Sequence, residues 1–138
     1  MQVKDVMSTR LETVAPRTTI LDCASRMDHA GVGALQVWED GQPVGLITDR
    51  DICCRVVALG KDPRSTPVGE IMTKQVTSCF EDQDCTEAAG LMRDKGVRRL
   101  IVLGRKQAMV GILSVDDLAR CSHDLAGEVL EAVAPWPH

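Results

Sequence analysis

Aromatic side chains are almost missing from this chain: it has no tyrosine, one phenylalanine (Phe80) and two tryptophans (Trp38 and Trp136). A planar ligand would have to be gripped by aliphatic side chains and backbone groups, not by aromatic stacking. An excess of positive charge is missing too. Sixteen basic against twenty acidic residues leave a formal charge of −4, which speaks against non-specific nucleic-acid binding, because that runs on neutralising phosphates. No uninterrupted apolar run approaches the roughly 20 residues that span a bilayer. The opening Met1-Gln2-Val3-Lys4-Asp5-Val6-Met7 has no apolar signal-peptide core. Neither nucleic acid nor membrane is an expected partner, and the cytoplasm is the expected location. The six cysteines, at 23, 53, 54, 79, 85 and 121, contain no C-x-x-C and no zinc-finger spacing, so a disulfide framework is not expected. Most fall on apolar faces, where cysteine acts as a small hydrophobe. A chain of 138 residues with 44% hydrophobic content can bury a core without disulfides or metal.

What is present is a stretch written twice. Gly45-Leu46-Ile47-Thr48-Asp49-Arg50-Asp51 returns as Gly111-Ile112-Leu113-Ser114-Val115-Asp116-Asp117. Each copy reads Gly, two branched apolar residues, a hydroxyl, two variable residues and Asp. The apolar pair reads as the end of a buried strand. The hydroxyl falls where a helix begins, with Asp in its first turn. One reading is a capping box repeated by a duplicated fold. The other is a ligand site: free amides at a helix start suit phosphate, and an ionised Asp accepts two hydrogen bonds from neighbouring hydroxyls, as on a ribose. Spacing alone leaves both open.

The rest of the chain follows the same duplication. Val3-Lys4-Asp5-Val6-Met7, expected as one helical turn, recurs 65 positions on as Val68-Gly69-Glu70-Ile71-Met72. Thr13 answers Ser78, Ala24 Ala89, Met27 Met92, Gly31 Gly96, Val32 Val97, Leu35 Leu100 and Val37 Val102. In copy one, Thr19 and Asp22 start a helix carrying Ile20, Cys23, Ala24, Met27 and Ala30, which Gly31 ends. In copy two, Asp84 and Glu87 start the counterpart, with Cys85, Ala88, Ala89 and Met92 on one face and Gly96 at the end. A hairpin follows in each, 34–38 with 44–48 and 100–103 with 109–114, and the stretches 11–14 and 76–79 can each add a strand. The closing helix of copy one carries Ile52, Cys53, Val56 and Val57 and stops near Gly60. That of copy two is expected to run on through Leu118, Ser122, Leu125, Val129 and Val133, stopping before Pro135. Residues 1–60 form repeat one, 61–67 a linker, and 68–138 repeat two with its extended helix. Neither half buries enough alone, so the expected α/β (α+β) fold packs two β-α-β-β-α repeats sheet to sheet about a pseudo-twofold axis.

The duplicated Gly-φ-φ-Thr/Ser-x-x-Asp, each preceded by Gly-Val and an apolar strand, resembles a tandem pair of cystathionine-β-synthase (CBS) domains over about residues 3–122. Leu46 to Ile52 and Gly60-Lys61-Asp62-Pro63 are similar to small stand-alone bacterial CBS-pair proteins. The resemblance implies a non-catalytic regulatory module that binds an adenine-containing ligand in clefts between the repeats: AMP, ADP or ATP, with NAD also possible. It implies that Asp51 and Asp117 bond the ribose hydroxyls, with Thr48 and Ser114 near ribose or phosphate. Thr13-Val14 and Ser78-Cys79 would frame the base through backbone groups. Val32, Arg50, Val97 and Asp116 complete the implied set, with Arg98 and Arg99 meeting phosphates. Copy one has Gly33 and Ala34 in place of that basic pair, which makes the sites unequal. Many family members have Pro where this chain has Gln36 and Ile101, a departure expected to be harmless. A homodimer is expected, motivated by the long apolar stripe of the last helix, together with an effector protein absent from this chain.

Three rivals stand beside this reading. An enzyme would need a nucleophile pair, and Cys121-Ser122-His123 is the nearest grouping, but residues two apart on a helix do not face each other. Neither a Walker A motif nor Gly-x-Gly-x-x-Gly is present. A metal or redox sensor could draw on Cys53-Cys54 or on Cys121 with His123. A ligand-free dimerisation scaffold would leave Arg98-Arg99 as a solvated pair and the two Asp residues as caps.

Overall fold

The computed structural model describes residues 1–10, 12–74 and 76–133. Leu11, expected to open the first extended stretch, lies outside them, as do Pro135, Trp136 and His138. The fold is mixed α/β. In chain order come β1 (Thr13–Val14), α1 (Ile20–Ala30), β2 (Ala34–Glu39), β3 (Gln42–Thr48), α2 (Asp49–Ile52), β4 (Ser78–Phe80), α3 (Cys85–Lys95), β5 (Arg99–Leu103), β6 (Met109–Ser114), α4 (Val115–Cys121) and α5 (His123–Val133). Short 3-10 turns at Val3–Asp5 and Val68–Glu70 match the expected openers. Two three-stranded sheets result, β1-β2-β3 and β4-β5-β6. In each, the short first strand pairs parallel with the second, and the second forms an antiparallel hairpin with the third.

Local chemistry explains these boundaries. Thr19 Oγ1 accepts the Asp22 N–H at 3.3 Å and starts α1. Asp84 accepts the Thr86 N–H at 2.9 Å and starts α3. Both helices end on a left-handed glycine, Gly31 at φ 67° and Gly96 at φ 65°. The β2–β3 turn puts Asp40 and Gly41 at φ 54° and 73°, the left-handed pair that a tight hairpin needs.

The chain divides into two compact units that do not coincide with the sequence repeats. One gathers the described residues of Met1–Leu11 and Thr77–His138, the other those of Glu12–Val76. The opener of the first repeat thus belongs with the body of the second. Val3 is fully buried in a core with Leu100, Val102, Leu113 and Leu118, and backbone bonds join Val3 to Gln83, Lys4 to Glu81 and Cys85 to Met1. In the other unit Val68 is fully buried with Leu35, Val37 and Ile47, and its N–H bonds the Thr18 carbonyl at 2.8 Å. Burying a valine side chain completely is worth roughly 1.5–3 kcal/mol, and each unit receives that anchor from the other end of its sequence. The stretch 61–67 is part of this second packing: Thr66 is buried, and carbonyls of Pro63 and Thr66 accept the N–H groups of Leu21 and Ile20.

Three features differ from the sequence reading. The single long helix expected from Val115 to Val133 is two helices. Ser122 leaves the helical region at φ −155°, ψ 108°, and its Oγ accepts the Leu125 N–H at 3.2 Å to start α5. Ala126 and Val129 are buried in the core of their own unit, and Arg93 on α3 pairs with Glu128 on α5 at 2.8 Å. The stripe that motivated a dimer is therefore used internally. Second, α2 passes into a π-helical turn at Cys53–Val57, where the Ala58 N–H reaches back to the Cys53 carbonyl at 2.9 Å. The wider turn buries Val56 and leaves Cys53 and Val57 exposed, against their expected place on the apolar face. Third, Gln36 is fully buried. Its Oε1 accepts the Trp38 indole N–H at 3.0 Å, but its Nε2 has no partner among the described residues, a loss of about 1–3 kcal/mol.

The glycine that opens each repeated motif has a steric cause. A Cβ on Gly45 would meet Met72 Sδ at 2.5 Å, and one on Gly111 would meet the Ser8 carbonyl oxygen at 2.7 Å. These are the points where the segments after the openers lie along β3 and β6, through the bridges Leu46–Thr73 and Ser8–Ile112. A backbone oxygen yields less readily than a methionine tip. Gly111→Ala is therefore expected to destabilise by about 1–3 kcal/mol and by more than Gly45→Ala, read from urea midpoints of the two variants.

Candidate functional site

Each repeated motif folds into a reciprocal capping box. The Asp51 N–H donates to Thr48 Oγ1 at 3.1 Å, and the Thr48 N–H donates to Asp51 Oδ2 at 3.0 Å. In the other unit Asp117 N–H donates to Ser114 Oγ at 3.1 Å and Ser114 N–H to Asp117 Oδ2 at 2.9 Å. The helix start is also tied to the strand before it: the Asp49 N–H bonds the Gly33 carbonyl and the Val115 N–H bonds the Arg98 carbonyl, both at 3.0 Å. The capping reading of the motif is thus correct in both copies. It does not exhaust the carboxylates. One oxygen of each serves the cap, and the other, Oδ1, lies 3.5 Å from a guanidinium, that of Arg55 for Asp51 and that of Arg120 for Asp117.

Strand register decides what surrounds each box. Ala34 sits opposite Thr48, and Arg99 sits opposite Ser114. The basic pair therefore stands beside the second motif hydroxyl, while the first has a methyl group there. Arg98 is exposed and Arg99 half-buried. Among the described residues neither guanidinium has a hydrogen-bond or ion-pair partner. Arg50 and Asp116 are exposed in the first turns of α2 and α4. Thr13 pairs with Gln36, and Ser78 with Ile101, so both lie on the outer first strand of their sheet, against central-strand residues two positions along from Ala34 and Arg99. The Thr13 carbonyl already accepts Arg26 Nη1 at 3.1 Å. Val14 and Cys79 turn their side chains into the two cores, leaving backbone groups as what they can offer. Val32 and Val97 close the ends of α1 and α3 through N–H bonds to the Met27 and Met92 carbonyls.

The arginines that face the motif carboxylates were not singled out from the sequence. Their signal was the helical spacing, four residues from Asp51 to Arg55 and three from Asp117 to Arg120, at which side chains share a face.

The cysteines divide by burial. Cys23, Cys79 and Cys85 are buried, Cys121 is intermediate, and Cys53 and Cys54 are exposed. Among the described residues no group of three or more His, Cys, Asp or Glu side chains is placed to hold a metal ion. Burial pushes the thiols of Cys23, Cys79 and Cys85 from 9.0 up to about 11, with Cys121 adding to the effect on Cys85. A folded-state value above the unfolded one means that the folded thiols keep their protons where the unfolded ones ionise. That contribution to stability is whole below pH 9 and is lost as pH rises towards 11. Urea midpoints should fall over that window, less steeply in Cys23→Ala, and an alkylating reagent should modify Cys53 and Cys54 in the native protein but the three buried thiols only on unfolding.

The duplicated α/β architecture, with one parallel and one antiparallel strand pair in each sheet, agrees with what comparison with known proteins shows. The family model for the CBS domain matches residues 3–57 and 68–124. The chain belongs to the CBS domain family and is a CBS-pair module of the regulatory, signal-transduction type. CBS domain-containing protein YhcV of Bacillus subtilis is 38% identical over 134 residues, covering 96% of this chain and 94% of that protein. Hypoxic response protein 1 of Mycobacterium tuberculosis is 29% identical over 118 residues, covering 85% of this chain and 82% of its own. A crystal structure of hypoxic response protein I with two coordinated zinc ions matches at a TM-score of 0.74 and 28% identity, covering 87% of this chain and 98% of that one. The CBS domain pair of protein MJ0100, in complex with 5′-methylthioadenosine and S-adenosyl-L-methionine, matches at a TM-score of 0.76 and 25% identity, covering 88% and 94%. No helix among the described residues is long and apolar enough to cross a membrane.

Proposed function

We propose that this chain is a non-catalytic cytoplasmic regulator that binds adenine-containing ligands (AMP, ADP or ATP, with NAD as a further candidate) at its two motif segments and reports their presence to an effector protein. The observation that carries the reading is the pair of motif carboxylates held by capping boxes. In each, the oxygen not used by the cap lies 3.5 Å from a guanidinium and has a further lone pair with which it would accept from a ribose hydroxyl, beside a Thr or Ser hydroxyl that keeps a proton to donate. The complex of the MJ0100 pair with two adenosyl compounds supports that ligand class. Thr13, Val14, Ser78 and Cys79 frame the base in this proposal, and Val32, Arg50, Val97 and Asp116 border the ligand.

The two segments share their ribose chemistry and differ in charge. Arg99, opposite Ser114, and its neighbour Arg98 would receive phosphate. A hydrogen bond to a charged group is worth roughly 1.5–3 kcal/mol, or about 10- to 150-fold in affinity, and solvent exposure takes it towards the lower end. Calorimetry with adenosine, AMP and ATP tests the proposal. Arg98→Ala and Arg99→Ala should weaken AMP and ATP several-fold more than adenosine, while Asp51→Ala and Asp117→Ala should each remove one class of site for all three ligands. Equal losses for adenosine and AMP in the arginine variants would refute the phosphate role.

The proposal keeps a homodimer but places it on other residues. Leu21, Val57 and Leu59 are exposed in the unit of Glu12–Val76, the last two by about two thirds of their surface, and covering such side chains on a second copy would favour association. Light scattering at micromolar concentration should give twice the 15.0 kDa chain mass, and a clean monomer would remove the dimer from the proposal.

A further inference from the structure

Among the described residues the environment of Arg55 has no counterpart in the other unit. Its Nη2 lies 3.5 Å from Asp51 Oδ1, while Nη1 donates to the Ile71 carbonyl at 2.8 Å and to Thr73 Oγ1 at 3.2 Å. One guanidinium therefore holds both a motif carboxylate and the segment Ile71–Thr73. That segment lies along β3 through two backbone bonds, Leu46 N–H to the Thr73 carbonyl at 3.0 Å and Thr73 N–H to the Leu46 carbonyl at 2.9 Å. It is also where the chain is about to leave its unit, whose last residue is Val76. The corresponding segment of the other unit is docked by the same backbone pattern, Ser8 with Ile112 at 2.9 and 3.0 Å. Among the described residues no guanidinium is bonded to it. The residue four positions after Asp117 is Cys121, whose thiol donates to the Leu118 carbonyl in its own helix. Among the described residues Arg120 pairs only with Asp117, and its side chain is 76% exposed.

We propose that Arg55 is a positioning residue that couples the Asp51 carboxylate to the Ile71–Thr73 segment, so that ligand occupancy at the first motif is transmitted to the chain leaving that unit, and that the second motif lacks this connection. The ligand half of the proposal rests on the ribose role given to Asp51 above. Asp51 holds the guanidinium in the plane from which Nη1 reaches the Ile71 carbonyl. Ribose hydroxyls that donate to Oδ1 divide its charge between themselves and Arg55, so the guanidinium loses its anchor and the segment loosens locally. The planar fork reaches the carboxylate with one nitrogen and the segment with the other, a span that an ammonium, whose three donors radiate from a single atom, covers less well.

Amide hydrogen exchange resolved at Leu46, Thr73, Ser8 and Ile112 tests this in two arms. Without ligand, Arg55→Met and Asp51→Asn should each speed exchange at Leu46 and Thr73 about tenfold, with Arg55→Lys intermediate, while Asp117→Asn leaves Ser8 and Ile112 unchanged. Asp51→Asn keeps a side chain able to cap the helix, so an effect at Thr73 reports the link through Arg55 and not loss of the cap. No change at Leu46 and Thr73 in either Arg55→Met or Asp51→Asn would overturn the coupling, as would an equal response at Ser8 and Ile112 in Asp117→Asn. With saturating adenosine, exchange should rise at Leu46 and Thr73 while it slows elsewhere in the same unit. Uniform slowing that includes Thr73 would overturn the transmission while leaving the ligand reading intact. Absence of adenosine binding by calorimetry would overturn the ligand reading and the transmission together, leaving the Arg55 coupling to stand or fall on the first arm.

Discussion

The reciprocal bond between a hydroxyl and a carboxylate three residues apart is the constraint from which the site is built. Thr48 with Asp51, and Ser114 with Asp117, fix where a strand becomes a helix. A capping box satisfies two backbone donors that would otherwise be left bare at the helix start. It also immobilises the carboxylate, because one of its oxygens is committed to the backbone. A carboxylate on a free rotamer would lose conformational entropy on binding a ligand. One already held by its own helix has lost it during folding. Structural and ligand-binding interpretations of the motif are therefore not exclusive, since the cap is what makes the second oxygen a positioned acceptor.

The box could not hold its place if the strand feeding it were free to slide. In both units the third strand is fixed on one side by the second, and on the other by the segment that follows an opener, through Leu46–Thr73 and Ser8–Ile112. Glycines at 45 and 111 allow those segments to approach to a distance at which a Cβ would collide. Because Val3 is buried with residues after Thr77, and Val68 with residues before Val76, each repeat lends its opener to the other unit. The duplication is a unit of sequence, and the compact unit of the fold is offset from it by the length of one opener.

Much of this was legible. The caps at Thr19 and Asp84, the stops at Gly31 and Gly96, both hairpins and both motif caps follow from residue types whose preferences act over a few neighbouring positions. The features that escaped depend on competition between equal local signals or on partners distant in sequence. Ser122 fits a continuous helical stripe through Leu118, Leu125 and Val129, and it equally fits a new N-cap. The burial of Ala126 and Val129 against α3 and α4 favours the second. The π-helical turn after α2 has no residue that announces it, and it rotates Cys53 and Val57 outward from a pattern that had placed them inward. Arg55 could be paired with Asp51 by spacing alone, but not with Ile71 and Thr73, which lie 16 and 18 residues further on.

Internal duplication separates what the fold needs from what each copy does with it. Positions that agree between the copies set backbone geometry: the capping hydroxyl and carboxylate, the left-handed glycines, the glycine under the docked segment and the buried valines of the openers. Where the copies differ, the strand register is matched while the side chains are not, and the helix after the motif turns π-helical in the first copy only. Ala34 and Arg99 stand opposite equivalent hydroxyls, Gln36 and Ile101 occupy the same register against the short first strand, and Arg55 and Cys121 lie four residues beyond equivalent carboxylates. None of these substitutions is required by the fold, since the other copy manages without it. Gln36 even leaves a buried donor without a partner among the described residues. Residues that the architecture tolerates but does not demand are where two motifs built on one frame become chemically different: the second stands beside two arginines that have no hydrogen-bond or ion-pair partner among the described residues, and the first is tied through Arg55 to the segment through which the chain leaves its unit.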